Sequence, residues 1–288
     1  MSVEKLKAPL AAIDDYFQVS KRYRNSWEYL DLLEFVGRFT EYSLFNSVLL
    51  HIQDPLVSVA LTPRDWFSQF RRIPKAEAQP LIVLSPGKPV DLLFDLKETE
   101  GQAIPPELLE EEEPIWKIHP KDLRRILHNM AIHGIAVGVS KGGNIGDGKA
   151  MRLSEELRTR LKIPEDEPHF YLVALTKGLP LKERYLVIVQ ELARILCGHF
   201  GVDEKAWWYD RRGASAEVKL IEAESVAYLV YRRMGFGYDA QTCLDAYRGG
   251  ENHEMPLISL HTVLGAANYI LDMGKSNWKK PKKKPPKR

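Results

Sequence analysis

Apolar residues recur at helical spacing from residue 26 onward. Trp27, Leu30, Leu33, Val36, Phe39 and Leu44 fall on one face and predict a helix over 26–51, with Ser26 as its N-cap. Pro55 disfavours helix at Asp54, so this helix should end near Gln53. Another helix is predicted over 5–18. The short apolar runs LVSVAL, PLIVLSP and VDLLFDL (90–96) read as strands, with PRDWFSQF a turn or short helix between the first two. Farther along, PKDLRRILHNMAIHG is an amphipathic helix ending at Gly134. It leads into a strand IAVGV, a glycine-rich turn KGGNIGDGK and a strand HFYLVAL. Helices are predicted over 181–199, over 215–234 with Gly235 closing it, and over 257–272. Helices and short strands mix without regular alternation and without an internal repeat, which predicts an α+β fold.

Composition divides this pattern into regions. KETEGQAIPPELLEEEEP is acidic and rich in Pro and Glu, and reads as a linker. The expected organisation is a domain over 1–97, a linker over 98–114, a second domain over 115–273 and a tail over 274–288. The tail stretch KSNWKKPKKKPPKR carries eight positive residues and no acid. The whole chain stands at +2, so removing those eight charges leaves the rest at −6. Lys- and Pro-rich sequence cannot bury a core, so the tail is expected to be disordered, either a polyanion anchor or a solubilising end.

The remaining composition narrows the setting. Hydrophobic content of 44% and charged content of 28% are those of a soluble globular protein. The longest apolar run, near 185–189, is too short to span a bilayer, and the N-terminus lacks the apolar stretch of a signal peptide. Two cysteines, Cys197 and Cys243, make no disulfide framework and suit a reducing compartment. A cytoplasmic protein with no membrane partner is expected. KGGNIGDGK lacks the G-x-x-x-x-G-K-[ST] pattern of a phosphate loop and reads as a turn.

Candidate chemistry concentrates in YLVIVQELARILC, a helix that is apolar on nearly every side. Gln190, Glu191 and Arg194 interrupt it, with Gln190 and Arg194 at i and i+4 on one face. Unpaired buried polar groups cost about 1–3 kcal/mol each, so these three must be paired, hydrated or functional. The spacing is that of H-E-x-x-H, where two imidazoles hold zinc and the glutamate activates the bound water. Here glutamine is a poor ligand and arginine a permanent cation. Cys197 and His199 lie nearby but two residues apart on a helix, so they point in different directions. In the following helix, EVKLIEAESVAYLVYRRMG, Glu222 and Glu224 both have apolar neighbours at helical spacing. At least one should face inward. Arg194 is the expected partner, in a bidentate pair that puts a guanidinium where zinc would sit; the alternative is that these glutamates reach solvent or pair with Arg211, Arg212 or Lys219.

The run KGLPLKERYLVIVQELARILCGHFG…WWYDRRGASAEVKLIEAESVAYLVYRRMG resembles the zinc-peptidase domain of the ImmA/IrrE family over roughly 175–235. That family carries H-E-L-A-H and then an E-A-[END] helix. The resemblance places its first ligand on Gln190, its catalytic acid on Glu191, its second ligand on Arg194 and its third on Glu222 or Glu224. Both histidines are replaced and the acid is kept. A degenerate metal site with a vestigial Glu191, a pseudoenzyme and no cofactor are therefore expected. The alternatives are a zinc metallopeptidase with atypical ligands that cleaves a regulatory protein, and a module whose protein partner occupies the vestigial cleft.

The front half, FTEYSLFNSVLLHIQDP, LTPRDWFSQFRRIPKAE and VDLLFDLKETEGQAIP, is similar to the N-terminal single-stranded-DNA-binding domain of ArdC-type antirestriction proteins of prokaryotes and mobile elements. After Trp66 that family carries G-R-x-V-x-K-G-E-x-G, where this chain has Phe70, Ala76 and Gln79 in place of the glycines. Single-strand binding needs aromatic faces for stacking and cations that follow phosphates. Tyr42, Asn46, Gln53, Arg64, Trp66, Arg71, Arg72 and Lys75 are the candidate DNA contacts. On the residues alone, Trp66 and Tyr42 as core and the arginines as a solvated face is the favoured reading; the resemblance turns the expectation to DNA contacts. The paired tryptophans of WWYDRR (207–212) read as packing residues.

Overall fold

Polar residues break the first long apolar stretch in two. A computed structural model of the chain describes residues 14, 23, 25–105, 119–140, 148–163, 170–202, 208–237 and 254–275. In it Ser26–Arg38 form α1 and Leu44–Gln53 form α2, where apolar spacing alone predicts one helix. Ser43 Oγ accepts the Asn46 amide at 3.2 Å, which starts α2 afresh. Asn25 Oδ1 accepts the Trp27 amide at 2.9 Å, one residue ahead of the expected cap at Ser26. The chain forms two compact units, Asp31–Ile115 and Met1–Leu30 with Trp116–Arg288. Their boundary lies inside α1.

In the unit Asp31–Ile115, the antiparallel sheet runs β1 (Ala60–Leu61), β4 (Val90–Asp95), β3 (Leu81–Leu84). Pro63–Phe70 forms α3, started by Thr62 Oγ1 on the Asp65 amide at 3.2 Å. Phe35, Phe39, Leu50, Val57, Ala60, Leu81, Val83 and Leu93 build the core. A second ladder pairs β2 (Arg72–Pro74) with β5 (Thr99–Gly101). With the 3-10 turn Leu96–Glu98, β5 takes up residues expected in the linker. Its ladder to β2 satisfies backbone groups that a linker would leave to water. Residues 106–114 of that linker lie outside the described residues.

The other unit holds a mixed sheet in which β8 (Tyr171–Thr176) runs parallel to β6 (Ile135–Ser140) and antiparallel to β7 (Gly148–Arg152). Its helices are α4 (Pro120–Ile132), α5 (Glu155–Leu161), α6 (Leu181–Leu196), α7 (Ala216–Arg233) and α8 (Leu260–Met273). The expected α+β class holds for the described residues. Helix α7 is buried on nearly every side, with α6 and α8 packed against it. Tyr29 reaches in from α1, its hydroxyl donating to Ser225 Oγ at 2.7 Å. The turn KGGNIGDGK over 141–147, most of the expected helix 5–18, Cys243 and the tail from 276 lie outside the described residues.

Candidate functional site

Helices α6 and α7 each carry a buried carboxylate, Glu191 and Glu222, and each carboxylate has its own partners. Glu222 is fully buried on α7. Arg211 grips it with two donors: Nε reaches Oε2 at 3.2 Å and Nη2 reaches Oε1. His199 Nε2 adds a bond to Oε2 at 3.0 Å, and the Ser259 amide donates to Oε1 at 2.8 Å. Charge-assisted, bidentate bonds of this kind are what a buried carboxylate requires. His199 Nδ1 is buried without a hydrogen-bond partner among the described residues.

Of the two readings open for these glutamates, Glu222 follows the alternative, pairing with Arg211, and the charge of Arg194 acts on Glu224. Local backbone geometry explains how Arg211 reaches Glu222. Gly198, just past α6, has φ +75°, and a Cβ there would lie 1.9 Å from the Tyr209 carbonyl oxygen. Only glycine lets the 209–211 segment close onto the end of α6, where the Arg211 amide donates to the Gly198 carbonyl at 3.1 Å. Trp208, on the same segment, is buried with its ring 6.3 Å from that of Tyr171, as a packing residue should be.

Glu191 and Arg194 form a separate group. Glu191 is 5% exposed. Its Oε2 accepts the Ala150 amide at 2.6 Å, tying α6 to β7 at the edge of the sheet. Arg194 Nη1 stands 3.4 Å from Oε1, with the arginine side chain 41% exposed. Burial raises the Glu191 pKa above the usual carboxylate range, partly offset by Arg194, the Ala150 amide and Lys149. Glu224 is half-buried, and its pKa is also raised by burial, with Arg194 the opposing charge. Arg194 therefore serves Glu191 and Glu224. Of the two candidates for the third position, Glu224 shares this electrostatic group and Glu222 is committed elsewhere.

A zinc ion does not fit these residues. Position 190 is an amide and position 194 a permanent cation, and that cation already lies against the one carboxylate that would activate water. Among the described residues no group of three or more His, Cys, Asp or Glu is placed to hold a metal. Cys197 is buried, and burial and Glu222 push its thiol well above its ordinary value, which leaves it a packing residue.

In the unit Asp31–Ile115 most of the candidate DNA contacts are already engaged. Trp66 is fully buried, and its indole donates to the Phe94 carbonyl at 2.7 Å, so it offers no face to a base. Asn46 bonds both backbone groups of Leu84, at 2.9 and 3.0 Å. Gln53, two turns on, does the same to Ile82, at 2.8 Å each. Together the two amides close the free edge of β3, which would otherwise template strand addition. Arg72 bonds Thr99 through Oγ1 at 2.9 Å and its carbonyl at 2.7 Å, and Gln102 at 2.5 Å. Lys75 reaches the Lys97 carbonyl at 2.6 Å. Arg64 and Arg71 stay exposed.

The Tyr42 hydroxyl donates to the Ala60 carbonyl beside a cleft of ≈ 620 Å³. Glu41, Asp65 and Asp91 line this cleft, together with Val83 and Leu93, and none of its lining residues is basic. Burial, then these three carboxylates, push Tyr42 up to about 12. A phosphate would be repelled here. No family model, no curated protein and no solved structure matches the chain. No helix among the described residues is long and apolar enough to cross a membrane.

Proposed function

We propose that the chain is a cytoplasmic, non-catalytic DNA-binding protein: the unit Asp31–Ile115 engages single-stranded DNA, and the unit carrying α6 and α7, which resembles the ImmA/IrrE zinc-peptidase domain, is a metal-free scaffold. The observation that carries the second half is the use of Glu191. Its carboxylate is spent on the Ala150 amide and on Arg194, where a peptidase would need it free beside a metal-bound water. A glutamine and an arginine at the ligand positions support the same reading. The first half is supported by the resemblance to ArdC-type antirestriction proteins and by the exposed Arg64 and Arg71. Protection of DNA, or regulation around it, is the role that resemblance implies. A protein partner would then dock on the scaffold without being cleaved.

The test is a fluorescence-anisotropy titration of the full chain with single- and double-stranded oligonucleotides at two salt concentrations. Single strands should bind more tightly, and their affinity should fall as salt rises. Equal, weak binding to both forms that vanishes when residues 276–288 are removed would contradict the proposal.

A further inference from the structure

One stripe of α3 makes no contribution to the core of its unit. Trp66 and Phe70 turn inward, with ring centroids 5.5 Å apart. Arg64 and Phe67 lie on an exposed side of the helix at i and i+3, and Arg71, the left-handed C-cap that ends α3, is exposed beside them. Phe67 is 54% exposed, a large apolar ring left in water. The Arg71 guanidinium carbon sits 5.3 Å from its centroid. Among the described residues no ion pair engages Arg64 or Arg71.

The backbone holds Arg71 in place. It terminates α3 with φ 52°, the left-handed conformation that glycine adopts most easily. Gly101 of β5 presses against it: a Cβ there would lie 2.5 Å from the Arg71 carbonyl oxygen and 2.9 Å from the Arg72 Cα. The three bonds of Arg72 to Thr99 and Gln102 clamp the next residue. The arginine over Phe67 is thus carried on a fixed turn. Asp65, the acid on α3, lines the acidic cleft and accepts from Thr62 Oγ1 at 2.6 Å, and it makes no ion pair with either arginine among the described residues.

We infer that Phe67 with Arg71 is a base-stacking platform for a single nucleic-acid strand, with Arg64 and Arg71 on the flanking phosphates. The inference rests on the single-strand-binding reading above and assigns its aromatic contact to Phe67. An acidic peptide would satisfy the arginines and leave the ring unused. An unpaired strand supplies negative charge and π-faces together.

Three variants of the full chain test this against a labelled single strand, the matching duplex and a polyglutamate peptide. All three side chains are exposed, so thermal melting should be unchanged. Phe67→Ala should weaken single-strand binding about tenfold and leave duplex affinity as it was, because stacking needs an unpaired base. Phe67→Trp should retain the affinity. The double variant Arg64→Ala, Arg71→Ala should make the log–log salt slope for single strands shallower by about 1.4, roughly 0.7 for each phosphate lost. If the wild type prefers single strands but Phe67→Ala binds them equally well, the platform is wrong and the broader reading stands. A wild type with no single-strand preference sinks both. Polyglutamate binding that depends on the arginines, with DNA binding indifferent to them, overturns the platform in favour of an acidic partner.

Discussion

Glu222 and Glu191 are buried carboxylates on two neighbouring helices, held by contrasting means. Glu222 has a bidentate arginine, a histidine and a backbone amide, and no exposure to water. Glu191 has one backbone amide and an arginine at 3.4 Å whose side chain is 41% exposed. The first group is a structural hub. The second, around Gln190–Arg194, is loosely closed and shares Arg194 with Glu224. The cationic role expected of Arg194 alone is divided between two arginines, and the stronger share belongs to Arg211, outside the motif.

Removing each arginine in turn should separate the two groups. Arg211→Ala leaves Glu222 buried with only two of its partner groups, and should cost about 3 kcal/mol of stability by chemical denaturation. Arg194→Ala should cost less than about 1 kcal/mol, because a partly exposed ion pair gains little over water. Equal losses would abolish the distinction.

The smallest effect tests the loose group through pH. Burial raises the pKa values of Glu191 and Glu224, so the folded chain binds those protons more tightly than the unfolded one. The stability they contribute is fully present below the ordinary carboxylate value and is lost as pH rises through the raised value. Glu224→Gln, neutral at every pH, should therefore melt slightly above the wild type at neutral pH, and the gain should shrink as the solution is acidified through that window. A variant that melts below the wild type at neutral pH would mean that Arg194 outweighs burial at Glu224.

Much of this was legible in the residues. The helices around residues 181–199 and 215–234, their apolar surroundings and the polar turn at 190–194 follow from spacing alone. What spacing could not give was partner choice. Arg211 reaches Glu222 because Gly198 lets a loop close, an effect of backbone shape rather than periodicity. The break between α1 and α2 turned on Ser43 acting as a cap inside an apolar pattern. Asn46 and Gln53 look like free polar contacts in sequence, yet each is consumed by an edge strand some thirty to forty residues away. Trp66 and Phe67 are adjacent aromatics, and only the packing of α3 decides which one faces water. Thr99–Gly101 follows a strand in a polar, acidic stretch, and its pairing with Arg72–Pro74 has no local signal.

Zinc titration by calorimetry, on the dialysed full chain and on the double variant Gln190→His, Arg194→His, shows whether α6 and α7 form a metal-free scaffold. A metal-free scaffold holds no stoichiometric zinc in the wild type, and zinc should bind the double variant, where two imidazoles join the nearby Glu224. Stoichiometric zinc that survives dialysis in the wild type would contradict it.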